Sequence, residues 1–451
     1  MTPDDTRPPS RQKVLFLSFT YPTLGGSGSQ LRAASLVRML AAHAEVHLLI
    51  ASWWEKVTGP RDPSIERLCQ SIAYLRMPPI EPGKWPLPET KVEGVDLPTI
   101  DRGPTDSAVI IHRHYLKYRL DSLFVFRLDA LQFVHTRLDF FPVRHLDLDE
   151  LPSRSQAQIA RLKRNFEPET PTRSQKTVQA TTRLMEKTFI SRFHRVFVAS
   201  AVEAEEVRRQ TGFQQPVVLP NVYPARLTPL EKRTAARSEI LFVGSLFYYP
   251  NIDAVLYFCR EILPLIQEKK GDGVLFRIVG MGSTDALDCV KDQRGVDLVG
   301  YQKDLAPLYT QATLVVVPLR AGAGTRLKIL EAFVHERVVV STSIGAEGLE
   351  VTDRKNILLA DHPHAFAQAC IEMIDQPKLA EKIAGEAARL HRERYSEEEL
   401  LRCYAKIRED EPVGKPESRM SYARLLKQRL DQSRVQRPPP HNPHGSNAFS
   451  A

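Results

Sequence analysis

The sequence predicts an α/β protein made of two doubly wound domains, and three observations predict it. The chain has 451 residues, more than one ordinary core accommodates, which suits two domains of roughly 150–200 residues each. Short apolar runs alternate with helix-compatible sequence in two separate series, one from Lys13 and one from Glu239. Glycine-bearing loops follow several of these runs, as they do at the carboxyl ends of strands in open parallel sheets. A composition of 42% hydrophobic and 26% charged residues is ordinary for a globular chain. It excludes a disordered, collagen-like or small disulfide-framework protein.

The elements follow in order. Residues 1–12 are polar and proline-rich and read as a disordered tail. KVLFLSF (Lys13–Phe19) is a continuous apolar strand of the kind buried on both faces. After the loop TYPTLGGSGSQ, apolar Leu31, Ala34, Leu36, Leu40 and Ala41 recur at helical spacing, and EVHLLIAS (Glu45–Ser52) is the next strand. This is a βαβ unit with right-handed parallel pairing. Residues 53–105, broken by MPPIEPGKWPLPET, are expected to form an insertion or lobe. SLFVFRL and RHLDLDELPSRS resume the apolar runs, TTRLMEKTFISRF is a helix, HRVFVAS a strand, AVEAEEVRRQ a helix, and PVVLPNVYP closes a first domain over 13–225.

The charged linker RLTPLEKRTAARSE leads to a second domain over 237–392. Its strands are EILFVGS, VLFRIVG, VDLVGY, ATLVVVPL, RVVVST and NILLAD. IDAVLYFCREILPLIQEK reads as one amphipathic helix, RLKILEAFVH as another, and 364–392 as helical throughout. Ser396 and Glu399 make a capping box before a C-terminal helix, 396–411, expected to return to the first domain. Residues 412–451 read as a mostly disordered tail with one basic amphipathic stretch, Arg419–Arg434.

Lys and Arg number 62 against 54 acidic residues, a net charge of +8. Spread over this length, the excess suits anionic small molecules or an anionic membrane face. Nucleic acid is not expected, because the basic segment Arg154–Lys176 interleaves only Phe166. No apolar run approaches 18 residues, and MTPDDTRPPSRQK lacks the apolar core of a signal peptide, so the expected location is the cytoplasm. The five cysteines are scattered without a CxxC pair, which predicts reduced, mostly buried thiols and no metal site.

Four loops could carry chemistry. Gly25-Gly26-Ser27-Gly28 lies between a strand and a helix, where backbone N–H groups approach an anion closely. It is neither a Walker loop nor GxGxxG. Gly244 and Ser245 follow the first strand of the second domain, with Asn251 expected to cap the next helix. In PLRAGAGTRLKILEAF, the loop with Gly322, Gly324 and Thr325 precedes a helix carrying Arg326 and Lys328 in its first turn. Cations there oppose the helix dipole, a placement that makes sense around an anionic ligand. Glu331, about a turn on, could accept hydrogen bonds from a ribose diol. IGAEGLE (Ile344–Glu350) is another tight loop at a strand end. Each loop alone also reads as a plain turn, and the Arg326–Glu331 segment as a salt-bridged solvated helix. Together they describe a cleft rich in N–H donors and cations, fit for a nucleotide-linked ligand.

With these segments in order, Lys13–Tyr404 resembles the GT-B glycosyltransferases, specifically the large retaining family 4 group. The likeness is strongest in FVGSLFYYPNIDAVLYF, RIVGMG, VGYQKDLAPLYTQATLVVVPLRAGAGTRLKILEAF and VVSTSIGAEGLEV. LGGSGSQLRAASLVRML, HLDLDELPSR, FVASAVEAEEV and VLPNVY add to it. The resemblance implies two Rossmann-like domains facing across a cleft. A nucleotide-diphosphate sugar is then the donor substrate, held mainly by the second domain. A glycan, lipid-linked or small-molecule acceptor is held mainly by the first, and neither a cofactor nor a metal is needed. It implies hexosyltransferase-like, retaining transfer in glycan, polysaccharide or glycoconjugate biosynthesis. Carried over by position, Arg326 and Lys328 contact the diphosphate, Glu331 binds ribose, and Gly25, Gly26 and Gly244 lie near the phosphates.

Two positions depart from the pattern. Ala323 stands where a glutamate usually contacts the donor sugar, leaving recognition to Gly322, Gly324 and Thr325 or to other groups. A histidine expected in the first domain is replaced near SLFVFRL by Phe126 and Arg127. Arg127 is therefore a candidate catalytic residue facing the cleft or, equally, a salt-bridged structural arginine, and His135 stands eight residues past Arg127. The alternatives are a non-catalytic GT-B nucleotide-binding or scaffold protein and, behind it, a sugar-nucleotide epimerase. The basic segments read either as a peripheral contact with an anionic membrane or as solvated surface.

Overall fold

The protein is described here from a computed structural model. The described residues are 11–52, 61–76, 89–92, 95–98, 105–164, 173–225, 237–282, 285–324 and 326–409. Most of both tails, the linker 226–236 and Thr325 lie outside them, as do parts of the expected lobe and of the basic segment. Among the described residues, 11–404 make one compact unit, and 405–409, which are helical, fall outside it.

The first unit contains both predicted sheets. Its N-terminal half runs β1 (Gln12–Ser18), α1 (Gly28–His43), β2 (Ala44–Ser52), α2 (Pro63–Glu66), β3 (Cys69–Arg76), β4 (Glu89–Val92), β5 (Val95–Pro98) and α3 (Thr105–Tyr118). It continues with β6 (Ser122–Phe126), β7 (Val143–Asp147), α4 (Pro152–Arg164), α5 (Arg173–Phe189), β8 (Arg195–Val198), α6 (Ala201–Thr211) and β9 (Pro216–Val218). Seven strands form one sheet in the order β3-β2-β1-β6-β7-β8-β9, every pair parallel. β4 and β5 form a separate antiparallel ribbon.

β3 corrects one expectation. Part of the presumed lobe is an edge strand of the main sheet. In CQSIAYLR the apolar run is only Ile72–Leu75, bounded by Ser71 and Arg76, and at this sheet edge Tyr74 is exposed.

The C-terminal half runs β10 (Ser238–Val243), α7 (Tyr249–Tyr257), α8 (Leu263–Lys270), β11 (Val274–Val279), β12 (Val296–Gly300), α9 (Ala306–Gln311) and β13 (Leu314–Val317). It ends with α10 (Leu327–Val334), β14 (Val339–Ser341), β15 (Leu358–Leu359), α11 (Pro363–Asp375), α12 (Pro377–Arg394) and α13 (Glu397–Glu409). The sheet order is β12-β11-β10-β13-β14-β15, again all parallel. The predicted helix over IDAVLYFCREILPLIQEK carries a π turn, and the helical stretch 364–392 divides in two, both at proline. A π turn (Phe258–Ile262) separates α7 from α8, because Pro264 has no N–H to bond back into the preceding turn. Gln376, preceding Pro377, leaves the helical region and divides α11 from α12.

Each sheet has its own core. In the first, Leu15, Leu17, Leu49, Leu123 and Val125 are buried between helical layers. In the second, Phe242, Phe258, Phe276 and Phe366 are fully buried, with the Phe258 and Phe276 rings 4.2 Å apart. Removing this much apolar surface from water is what holds each half together. α13 starts against the first sheet's helix: Glu397 Oε1 lies 2.6 Å from Arg38 Nε, and the Tyr404 ring meets His43 and Phe197. Of the cysteines, Cys259 and Cys370 are buried but Cys289 is exposed, so the expectation of mostly buried thiols is too broad. Among the described residues, no helix is long and apolar enough to cross a membrane.

Strand order locates the site. In both sheets the chain reverses direction of winding beside the first strand, between β1 and β6 and between β10 and β13. Open α/β sheets bind ligands at such switch points, outside the carboxyl ends of the strands. The loops bearing Gly25, Arg127, Gly244 and Gly322 leave from these four strand ends.

Candidate active site

The Ala321–Leu327 turn owes its shape to two glycines. Gly322 (φ +125°) and Gly324 (φ +77°) adopt backbone angles that side chains resist. They present their N–H groups to the first domain, where Gly322 N donates to Gln158 Oε1 at 2.9 Å and Gly324 N to Glu203 Oε1 at 3.1 Å. Arg326 is the N-cap of α10, which starts at Leu327, two residues later than Thr325, where the sequence placed it. Its Nη1 donates to the carbonyls of Ala323 and Gly324, folding the side chain back under the loop. Nε and Nη2 are buried without a hydrogen-bond acceptor. Arg326 as a whole is only 8% exposed. Buried N–H groups of a guanidinium cost free energy when unpaired.

Lys328 lies one position into the same turn. Its Nζ donates to Asn251 Oδ1 at 2.7 Å and stands 4.3 Å from the centre of the Phe242 ring. Burial, then the Arg326 charge, pushes this ammonium down to about 7. Asn251 is not the cap of α7, a place taken by Tyr248. Its Nδ2 instead donates to the Ser245 carbonyl at 2.8 Å, so it ties Lys328 to the loop after β10. A Cβ on Gly244 would fall 2.8 Å from Lys328 Nζ and 2.9 Å from the Asn251 side-chain amide, so any larger residue there would displace both. Ser245 thus enters through its backbone.

Glu331, one turn along α10, is also 8% exposed, and its Oε1 accepts from the Tyr223 hydroxyl at 2.6 Å. Burial raises this carboxyl above its ordinary range, against the lowering effects of Tyr223, Tyr309 and Lys328.

The first domain contributes the opposite wall. Gly25 has open space where a side chain would be, whereas Gly26 is crowded by Gln30, whose Oε1 accepts from Ser27 N at 2.8 Å. A Cβ on Gly28 would lie 3.3 Å from Leu327 Cδ1, so the N-terminal ends of α1 and α10 meet. Arg127 (φ +70°) and Asp149 (φ +58°) hold strained backbone at the ends of β6 and β7. Arg127 is committed to carboxylates, with Nη1 3.3 Å from Asp149 Oδ2 and Nη2 3.9 Å from Glu150 Oε1. His135 is spent elsewhere, its Nδ1 on the Leu131 carbonyl and its ring against Phe189.

Below this wall, Arg32 is buried with Asp147 in a two-pronged pair (2.8 and 2.6 Å) and donates to Asn221 Oδ1 at 2.7 Å. Glu203, buried at the first turn of α6, is pushed up to about 8 by burial and then by the charge of Asp149. Its other oxygen accepts from Ala199 N at 3.2 Å. A further bridge, Arg154 Nη2 to Glu347 Oε1 at 2.7 Å, joins α4 to the Ile344–Glu350 loop.

The site therefore brings together Gly244, Ser245, Gly322, Gly324, Arg326, Lys328 and Glu331, with Gly25 and Gly26 across the cleft. Thr325 lies outside the described residues. Sequence reasoning missed Gln158, Glu203 and Tyr223, and it misread Asn251. Among the described residues, no three His, Cys, Asp or Glu side chains are grouped to hold a metal ion.

Residues 237–376 match the model of the "Glycosyl transferases group 1" family. A protein of the cps region of Klebsiella pneumoniae, described as uncharacterized and of 44.6 kDa, is 24% identical over 219 residues. That alignment takes in 47% of this chain and 55% of the relative, so the chain matches about half of its length. Anabaena HepE, solved with UDP and glucose, superposes with a TM-score of 0.60 at 14% identity, over 89% of this chain and 100% of its own. WaaG, described as a glycosyltransferase involved in lipopolysaccharide biosynthesis, gives 0.58 at 14% identity, over 87% and 99%. At these identities the likeness establishes the fold, two Rossmann-like domains in the GT-B arrangement.

Proposed function

We propose, from the match of 237–376 to the group 1 glycosyltransferase family, that the chain transfers a sugar from a nucleotide-diphosphate donor to an acceptor hydroxyl. In this reading the anomeric configuration is retained, no metal takes part, and the product belongs to glycan, polysaccharide or glycoconjugate biosynthesis. The observation that carries the reading is Arg326, a buried guanidinium with two nitrogens, Nε and Nη2, lacking acceptors, placed beside Lys328. Two phosphate oxygens are the natural acceptors for such a pair. The solved relatives that hold UDP and glucose or act in lipopolysaccharide biosynthesis support the donor and product classes.

In the mechanism, the bond from C1 of the sugar to the diphosphate breaks as the acceptor oxygen bonds to C1 on the same face. The departing diphosphate takes the acceptor's proton. Arg326 and Lys328 stabilise the charge gathering on its oxygens, so no metal ion is called upon. Closure of the first domain over the donor excludes water. The acceptor, a glycan, lipid-linked or small molecule, approaches from the first-domain side, in the cytoplasm or at the inner face of an anionic membrane. The basic face of α4 supplies charge for that surface.

A non-catalytic, nucleotide-binding reading draws on Ala323 and on Arg127, whose charge is already spent on Asp149. Calorimetry against UDP, GDP, ADP and TDP without divalent metal, followed by turnover with the matching nucleotide sugars, separates the two. Micromolar binding of one nucleotide and turnover in wild type, with kcat lowered ~10²–10³-fold in Arg326→Ala, supports transfer. Full activity of Arg326→Ala would remove that residue from the mechanism. Binding without turnover favours the non-catalytic reading.

A further inference from the structure

We propose that Tyr223 is the positioning residue for the donor ribose: its phenol holds the Glu331 carboxylate as an aimed hydrogen-bond acceptor. The inference rests on the donor-site reading above and adds to it a residue that lies 108 positions from Glu331 in the chain.

A carboxylate as buried as Glu331 keeps its charge only where donors face it. Tyr223 supplies one, at 2.6 Å, within the short range of an O–H bond to an anion. The phenol cannot drift, because its backbone is pinned on both sides. Tyr223 N donates to the Tyr395 carbonyl at 3.2 Å, and its own carbonyl lies 2.9 Å from Nε2 of the buried His391. Tyr223 therefore travels with the end of α12 and leans into the second domain's core, although it follows directly from the first sheet.

On the other side, Tyr309 of α9 is fully buried and close enough to Glu331 to feel its charge. Its hydroxyl has no acceptor in hydrogen-bond geometry, and its ring stacks on His335 at 4.5 Å. The groups facing Glu331 are thus two phenols and the Lys328 ammonium one turn earlier on α10. With one oxygen committed to Tyr223, the carboxylate has a fixed plane and meets a vicinal diol in a single orientation. Without that phenol, burial favours the protonated acid, which is a poorer acceptor.

The test is calorimetry of wild type and Tyr223→Phe with UDP, GDP and ADP, each beside its 2′-deoxy counterpart. Wild type is expected to favour the ribonucleotide about tenfold, a difference of ~1.4 kcal/mol. Tyr223→Phe should lose that preference by weakening the ribonucleotide while leaving the 2′-deoxy affinity within about twofold. In a Glu331→Gln background, the same change should cost nothing further, as expected of a residue acting through Glu331. Unaltered ribose preference in Tyr223→Phe overturns the proposal, as does equal weakening of both ligands. Absence of binding by wild type to any of the six overturns the donor reading itself, and the proposal with it.

Discussion

Raising the pH should release a nucleotide sugar from this site through Lys328. Its ammonium is held down to about 7 by burial and by Arg326, with Glu331 only partly offsetting them. A diphosphate binds the charged form, so binding raises the depressed value and the complex takes up a proton. Below about pH 7 the ammonium is present and affinity is full. Above it, affinity falls by a decade per unit, so that between pH 6 and pH 8 the loss is about tenfold, or ~1.4 kcal/mol. UDP-glucose is a suitable probe, since its diphosphate has no group titrating in this window. Titrations at pH 6, 7 and 8, repeated in buffers of different ionisation enthalpy, give both the affinity and the number of protons taken up. Lys328→Met should bind weakly at every pH and show no proton uptake. Affinity independent of pH in wild type, with heats that do not vary with buffer, would refute the argument.

Two further predictions concern stability. Glu203, raised to about 8, stabilises the fold while protonated, and that contribution is lost as pH climbs from its unfolded value through about 8. Across that window wild type should lose up to ~1.4 kcal/mol per pH unit relative to Glu203→Gln, measured by urea unfolding at pH 5, 7 and 9. Parallel profiles would show that the carboxyl is not held protonated. Arg32→Leu leaves Asp147 charged and buried, and should cost ~3–5 kcal/mol by urea unfolding. Adding Asp147→Leu should restore much of it, and a cost below about 1 kcal/mol in the single variant would mean the pair is not dry.

Legibility followed chain distance. The strand at Lys13 and the six of the second domain announced themselves as local apolar runs, and the glycine and cation segment from Gly322 to Glu331 lies within ten positions. Proline positions decided both helix breaks, yet the apolar periodicity through FCREILPLIQEK runs on undisturbed and hides the first of them. β3 was not visible, because an edge strand needs no unbroken apolar run. Gln158, Glu203 and Tyr223 reach the site from α4, α6 and the stretch after β9. Nothing in AVEAEEVRRQ separates Glu203 from Glu205 and Glu206, which stay on the helix surface in local pairs with Arg208 and Arg209. Only the fold distinguishes them.

The hold that Gln158 and Glu203 keep on the amides of Gly322 and Gly324 sets a reciprocity between substrate choice and domain cohesion. A sugar that takes those amides must evict two first-domain side chains, and by linkage it loosens the domains by as much as the domains weaken it. Two ordinary hydrogen bonds are worth ~1–3 kcal/mol together, which is a range of about 5- to 150-fold in apparent affinity. If this loop holds the donor, as proposed, its affinity is thereby adjustable from α4 and α6, at positions that need never touch the donor. On the proposed function, a change at Gln158 would retune donor affinity to a richer or poorer supply while leaving the proposed diphosphate contacts of Arg326 and Lys328 as they are.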